Sequence, residues 1–399
     1  MVKKSALLPA VTDKQGKNQN DKTNIIAEQK FCKSKEQLTR DYLVNTFTRF
    51  QLQHFAQNKL IERGVASFNS NYSKCHRVAL GGFASLVRNP LTFRAYYNGV
   101  VTCANPLLCP VCAPRIMGKR SAEIKSAVHQ WLNEDSQNTC YMLTFTFAHT
   151  ADDNLSDLLQ SFKSALVSFW KRGDINRILT VSGRVGRITS TEIQCSQKNG
   201  WHPHQHVLLF CQASDFNEKK LAGYWLNSLE ASGLSGLSDI AFNMVEARSA
   251  ELYLTKISSE MALGNLKQGR TSGHYSPMQL LDEARTGSEW AINRFCELYS
   301  SVKGLHSLYW SRGLKARFGI GEVSDSDITN GTAQPELVKF LDLIDEGFSR
   351  LSVAEKALLR NYAALGDYER ASALLVRLNI EFYKDSCLQT LNPNFSAVK

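Results

Sequence analysis

Apolar residues recur at helical spacing from about residue 38 to 63 (Leu43, Phe47, Phe50, Leu52, Phe55, Leu60), and Gly64 supplies a stop. The pattern is lost between 67 and 117, an irregular, aromatic and basic stretch, and a second helical run covers about 119–132. From 141 to 246 the period becomes that of strands. Tyr141-Met-Leu-Thr-Phe-Thr-Phe147 is rich in β-formers and alternates from Leu143 onward. A helix is predicted at 154–172. Strands follow at 187–195 and 204–211, joined through Gln197-Lys-Asn-Gly200, where Asn199-Gly200 is a hairpin signal. A helix at 217–232, a strand at 240–246 and a helix at 249–263 complete the series. This order predicts an α+β fold: a central antiparallel sheet with helices on one face.

Both ends differ from this middle. Residues 1–37 are polar and lysine-rich and read as a mobile basic tail. Near the C-terminus 334–348 is amphipathic, Ser352-Val-Ala-Glu355 is a capping box opening a helix to about 365, and Gly366-Asp367 separates it from another at 368–378. The expected organisation is the tail, a helical and cysteine-rich region at 38–135, a sheet-bearing region at 136–320, and a helical appendage at 335–399.

Composition narrows the class. The 399 residues carry 47 Lys or Arg against 37 Asp or Glu, a formal charge of +10, and 43% are hydrophobic. That excludes a wholly disordered or collagen-like chain. No apolar run reaches the roughly 20 residues of a membrane span, and Pro9 and the charges after it break up any secretory signal, so the chain reads as cytoplasmic. The basic balance favours a polyanionic partner. Ten cysteines in a reducing compartment do not suggest a disulfide framework.

The most informative stretch is Gly200-Trp-His-Pro-His-Gln-His-Val207. Side chains two apart on a strand share a face, so His204 and His206 can address one ion while Gln205 and Val207 point away. The alternative is a buried, hydrogen-bonded histidine cluster. A third ligand is expected from the neighbouring strand, and Glu192 is the candidate. A strict two-residue turn at Asn199-Gly200 would set Glu192 opposite Val207, on the wrong side of the sheet. One extra loop residue, or a bulge at Pro203, brings it opposite His206. Farther along, Tyr253 and Lys256 are spaced to share one helix face.

Thr144-Phe-Thr146, His202-Pro-His-Gln-His206 and Tyr253-x-x-Lys256 match, in order and rough spacing, the three motifs of HUH endonucleases. The sequence resembles, more narrowly, the one-tyrosine rolling-circle plasmid replication initiators, the Rep family, over about 72–318. The Cys-Pro-Val-Cys knuckle and the segment Tyr309-Trp-Ser-Arg-Gly-Leu-Lys315 fit that narrower group. The resemblance implies a bacterial initiator that nicks one strand of the double-strand origin and later rejoins it. Tyr253 would be the nucleophile that becomes 5′-phosphotyrosine-linked, Lys256 a nearby positive charge, and His204, His206 and Glu192 the ligands of Mg2+ or Mn2+. Gln205 replaces the hydrophobic residue usual between the two histidines. Ser249 stands where some relatives carry a glutamate that activates water, a role left to Glu251 or Glu246. Ile257 occupies the place where a second tyrosine would favour an HUH transposase. A zinc-dependent DNA-binding regulator without chemistry is the reading from another class.

Cys109-Pro-Val-Cys112 can grip one tetrahedral zinc across a tight turn, with Cys103 as a third ligand. Cys75 is preferred as the fourth because the resembling family has an upstream cysteine, and His76 is next to it. Two buried free thiols are the plainer alternative. Basic and aromatic residues interleave around the cluster and again near Trp310. Arg94, Arg115, Lys119, Arg120, Arg312, Lys315 and Arg317 are the candidate DNA contacts. The implied partners are plasmid origin DNA, duplex and single-stranded, with the host helicase and polymerase; no membrane is implied.

Overall fold

The computed structural model describes residues 35–247, 273–331 and 336–384. The chain divides into two units, 1–46 and 47–399. Of the first, residues 35–46 are described and are helical, the start of helix α1 (Lys35–Glu62). The second unit carries both sheets. In chain order its elements are β1 (Phe83–Asn89), β2 (Arg94–Asn98), α2 (Ala113–Glu134), β3 (Asn138–Phe145), α3 (Leu155–Lys171), β4 (Gly186–Ser196), β5 (Gly200–Gln212), α4 (Glu218–Glu230) and β6 (Phe242–Ala247). After them come β7 (His274–Tyr275), α5 (Pro277–Arg285), α6 (Glu289–Ser301), β8 (Leu308–Trp310), β9 (Val338–Ile344), α7 (Val353–Leu365), α8 (Tyr368–Arg377) and β10 (Phe382–Tyr383).

The larger sheet is antiparallel, in the order β6-β3-β5-β4-β7, with β8 also pairing β4. Its two faces follow from the period-2 alternation. On one face Phe145 packs edge-on against Phe169 and Trp170 of α3, Trp225 of α4 and Phe242, at ring separations of 5.0 to 5.7 Å. The Trp225 indole also donates to the Thr146 carbonyl, so α3 and α4 are fixed to this side. Truncating a fully buried ring such as Phe145 to alanine would cost about 3–5 kcal/mol. The helix start agrees with the sequence, since Asn154 caps α3 through Ser156 and Asp157.

The opposite face is divided. At one end Ile124, Val128 and Trp131 of α2, with Leu314 and Phe318, cover Cys140, Met142, Ile188, Leu208 and Phe210. At the other end the same face carries Thr144, Ser190, Glu192, His204 and His206. The α+β expectation therefore holds, with α3 and α4 on one face and α2 closing half of the other.

Two segments differ from the reading of the sequence. The stretch 67–117, read as irregular, contains the β1–β2 hairpin. The segment 334–348, read through its amphipathicity as helical, contains β9, which pairs with β1 and, on its far side, with β10. A half-buried strand and a short amphipathic helix share apolar spacing over so few residues, and β9 is fixed by a partner some 250 positions away. The four-stranded sheet β10-β9-β1-β2 thus joins the C-terminal segment to the cysteine-rich region. Helix α7 starts at the predicted capping box, Ser352 and Glu355 each accepting from the other's backbone N–H. Its Arg360 guanidinium donates to the Ala95 carbonyl, and its Lys356 carbonyl accepts from the Tyr97 hydroxyl. No helix among the described residues is long and apolar enough to cross a membrane.

Candidate active site

The β4–β5 turn decides the site. Ser196 pairs with Gly200, so the connection is the three residues 197–199 rather than the strict two-residue turn. Gly200 adopts φ +71°, and a Cβ there would lie 2.5 Å from the Thr150 carbonyl oxygen. This register places Glu192 opposite His204, not His206. The side of the sheet is nevertheless the expected one, since a shift of two residues preserves the face.

The Glu192 carboxylate lies 3.1 Å from His204 Nε2 and 3.8 Å from His206 Nε2. Their side chains are 23%, 11% and 19% exposed, so the group is lined by protein yet open to solvent. Ligand atoms bound at right angles about 2.1 Å from one ion lie about 3.0 Å apart, close to the spacing found here. Two imidazoles and one carboxylate are a donor set suited to a divalent cation. Burial alone would raise the Glu192 carboxyl, but hydrogen bonding to His204 and His206, the His204 charge and Gln194 outweigh it and hold it well below the usual carboxylate range.

Neighbours fix the orientation of these groups. Thr144 lies opposite His206, with its Oγ1 3.1 Å from His206 Nδ1, which leaves Nε2 facing Glu192. Gln194, two residues along β4, donates its side-chain amide to Glu192 Oε1 at 2.8 Å. His202 extends the histidine face. The Asn199 carbonyl can only accept, so His149 donates to it through Nδ1 at 2.8 Å. With both rings neutral, His149 Nε2 then accepts from His202 Nδ1 at 2.7 Å. Burial, together with His204, His149 and His274, lowers the His202 pKa to about 3. His149 and Gln194 were not singled out by the sequence. Strand alternation from Glu192 marks Gln194, whereas His149 sits in a loop that only the fold brings back.

The second cluster is Cys75, Cys103, Cys109 and Cys112. Four sulfurs around a zinc at about 2.3 Å would lie about 3.8 Å apart. Here Cys75–Cys112 is 3.5 Å, Cys103–Cys112 3.9 Å and Cys75–Cys109 4.0 Å. Gln53 and the Cys112 N–H donate to the Cys109 sulfur, and the Cys103 N–H donates to that of Cys75. Burial pushes the Cys75 and Cys103 thiols well up. At Cys109 burial also opposes ionisation, but bonds from the other three thiols and the Cys112 N–H overcome it, and its pKa falls well below the ordinary value. A bound cation would offset the cost of burying thiolates in such a group. His76 stands outside the set, its ring edge-on to Phe50.

The candidate DNA contacts fall into two groups. Arg115 is buried, donating to the Thr329 carbonyl and to Asn98 while stacking on Tyr96. Arg120 bridges Glu123 and Asp325, and Lys315 reaches Glu123 and Glu322. Arg94 and Arg312 are exposed, Lys119 is half-buried, and Arg317 is exposed with Glu134 at 2.7 Å. Tyr253, Lys256 and Glu251 lie outside the described residues. Glu246 pairs with Tyr141, on the sheet face opposite the histidines.

A model of the Rep_1 replication protein family matches residues 95–225, which include three of the clustered cysteines and the whole β4–β5 hairpin. The "Protein rep" of Streptomyces lividans is 26% identical over 308 residues, covering 58% of this chain and 67% of that protein. A "Neomycin resistance protein" of Streptomyces cyanogenus is 33% identical over 135 residues, 28% of this chain, and the match spans only 30% of that relative's length. No solved structure matches. Over residues 95–225 the chain is similar to the Rep_1 replication protein family.

Proposed function

We propose that the protein is a plasmid rolling-circle initiator, a metal-dependent endonuclease and strand transferase that nicks one DNA strand at the double-strand origin and rejoins it at termination. The observation carrying this reading is the Glu192–His204–His206 group on the half of a sheet face that helix α2 does not cover, inside the family-matched segment. These three residues would hold Mg2+ or Mn2+, which when bound would polarise the scissile phosphate. Thr144 and Gln194 keep His206 and Glu192 in register for that task. Tyr253, by resemblance to one-tyrosine relatives, is the attacking group: its phenolate oxygen forms the bond to phosphorus as the 3′ oxygen leaves, giving a 5′-phosphotyrosine link and a free 3′-OH. Lys256 supplies positive charge beside it, and Glu251 is the carboxylate for termination. Cys75, Cys103, Cys109 and Cys112 would hold a structural Zn2+, fixing a loop-rich region.

Origin DNA, duplex and single-stranded, is the partner, with the host helicase and polymerase acting after the nick in the bacterial cytoplasm. Arg94, Lys119 and Arg312 are the cations best placed for phosphates. The test mixes the protein with supercoiled origin plasmid and Mg2+ or Mn2+, followed by SDS and electrophoresis. Nicked DNA carrying covalent protein, lost in Tyr253→Phe and in His204→Ala/His206→Ala, is expected. Nicking that survives Tyr253→Phe would remove the tyrosine from the role. Binding without any cutting would leave a zinc-dependent DNA-binding regulator.

A further inference from the structure

Between α1 and the start of α7 lies an open groove of about 950 Å3, within the usual size of a small-ligand cleft. Its lining shares no residue with the histidine face or the cysteine cluster. Lys59, Arg77, Arg285 and Lys356 border it, against a single carboxylate, Glu62. Lys59 is paired with Glu62, and Arg285 with Asp282. Arg77 and Lys356 make no ion pair among the described residues.

Neutral groups hold both of these cations in place. Arg77 donates from Nε to Gln57 Oε1 at 2.6 Å, and from Nη2 to Asn58 Oδ1 at 2.7 Å and His54 Nδ1 at 3.0 Å. Gln57 is itself fixed, its amide donating to the Tyr72 and Cys75 carbonyls. These bonds use three of the five guanidinium N–H groups and leave the two on Nη1 without a protein acceptor among the described residues. Lys356 is 5% exposed and donates to the His76 carbonyl at 3.2 Å, with the Phe348 ring on one side. Asp345 attracts it from farther off, its carboxylate already accepting from the Ala79 N–H and the Ser349 hydroxyl. The field in the groove is positive: after burial itself, Arg77 and Lys356 are what lower the His54 pKa. A buried cation without a counter-charge is costly, and two of them beside one groove are suited to an anion that enters it.

The depth of Lys356 selects among anions. A phosphodiester on the outside of a rigid duplex cannot reach an ammonium so far in, whereas a terminal phosphate on a small molecule can. Phe55 and Val353, both half-buried, add an apolar wall that a bare phosphate would leave empty.

We propose that this groove binds a small phosphate monoester of nucleotide size, its terminal phosphate between Arg77 and Lys356 and its body against Phe55. The proposal goes beyond the nicking reaction and does not depend on it. Arg77 follows Cys75 by two residues and Gln57 bonds to the Cys75 carbonyl, so the ligand sits on the segment that supplies the cysteine cluster.

The test is calorimetric titration of the full chain with ATP, in chloride buffer without phosphate or added divalent metal, and with adenosine and a 20-base-pair duplex lacking terminal phosphates as comparisons. ATP should bind at one site per chain and adenosine should not compete with it. Asn58→Asp keeps both cations and gives Arg77 an internal carboxylate at an exposed position; it should weaken ATP binding about ten-fold or more. Lys356→Met should weaken it as much, with near-ultraviolet ellipticity reporting that the fold is kept. Lys219→Gln, at an exposed site on α4 away from the groove, should bind ATP like the parent. The duplex should bind Asn58→Asp and the parent alike. No ATP binding by the parent, or binding that Asn58→Asp leaves unchanged, would overturn the proposal. So would a duplex that displaces ATP and loses the same affinity in Asn58→Asp, because the groove would then belong to a DNA track. Each of these outcomes can be read whether or not the chain nicks DNA.

Discussion

Glu192 stands directly across from His204, and its carboxylate reaches His206 only diagonally. The relationship is produced by a three-residue loop and by Gly200, whose left-handed backbone and contact with Thr150 leave no room for a side chain.

Gly200→Ala is therefore expected to destabilise the fold by about 1–3 kcal/mol, from backbone strain alone. The Cβ placed against the Thr150 carbonyl adds to this and pushes the hairpin out of register at its closed end. Urea unfolding measures the first effect. Titration of Mn2+ by calorimetry measures the second, as weaker binding than in the parent chain.

Thr144→Val keeps the shape of the side chain and removes the oxygen beside His206 Nδ1. A ring that loses such a partner is free to rotate and loses preference for one tautomer. Divalent-metal affinity should fall about 10- to 100-fold, with little change in stability, in the same calorimetric titration. Equal affinity would mean that packing alone orients His206.

Much of this was legible in the sequence, and where it was not the reason is physical. Alternation on one strand put His204 and His206 on a common face, because the strand period is local. The partner of Glu192 was not fixed, because hairpin register depends on loop length and Asn199-Gly200 suits more than one loop. The capping box at Ser352 was readable for the same local reason as the histidines. Strand β9 was not, because β9 owes its state to β1. Arg115 and Arg120 look like any basic pair beside a metal knuckle; only the fold shows Thr329 and Asp325 waiting for them.

The cysteine group should bind one zinc per chain, measured by elemental analysis of protein purified without added metal. Cys109→Ser should abolish that zinc and destabilise the region around α2, since the buried Cys75 and Cys112 and the half-buried Cys103 are left without an ion. Chelation should release zinc with a loss of near-ultraviolet ellipticity. Retention of zinc in Cys109→Ser would remove that sulfur from the set.

The two groups of arginines should separate by assay. Arg115→Ala leaves the Thr329 carbonyl and Asn98 without a buried partner, and about 2–4 kcal/mol of stability should be lost. Arg312→Ala touches an exposed side chain. It should leave stability unchanged while lowering the salt dependence of DNA binding by about one counterion. Affinity measured at several salt concentrations, alongside urea unfolding, distinguishes these outcomes.

Lys356 gives the fold a pH dependence of its own. Its ammonium is buried, donating to the His76 carbonyl and lying 4.0 Å from the centre of the Phe348 ring. Burial, helped by Arg77 and opposed by Asp345, lowers its pKa from 10.5 to about 8. Between those values the unfolded chain holds a proton that the folded chain has released, so stability rises with pH through this window. Below about pH 8 the folded state carries the full cost of the buried charge, on the order of 3 kcal/mol. Lys356→Met removes the titration, and subtracting its stability from that of the parent cancels every other group. The difference should shift toward the parent by about 2 kcal/mol between about pH 7.5 and 9.5 in urea unfolding. A difference that stays flat would mean that the ammonium keeps its solvation in the folded state, and that α7 is held on β2 by Arg360 and Tyr97 with no desolvation cost at Lys356.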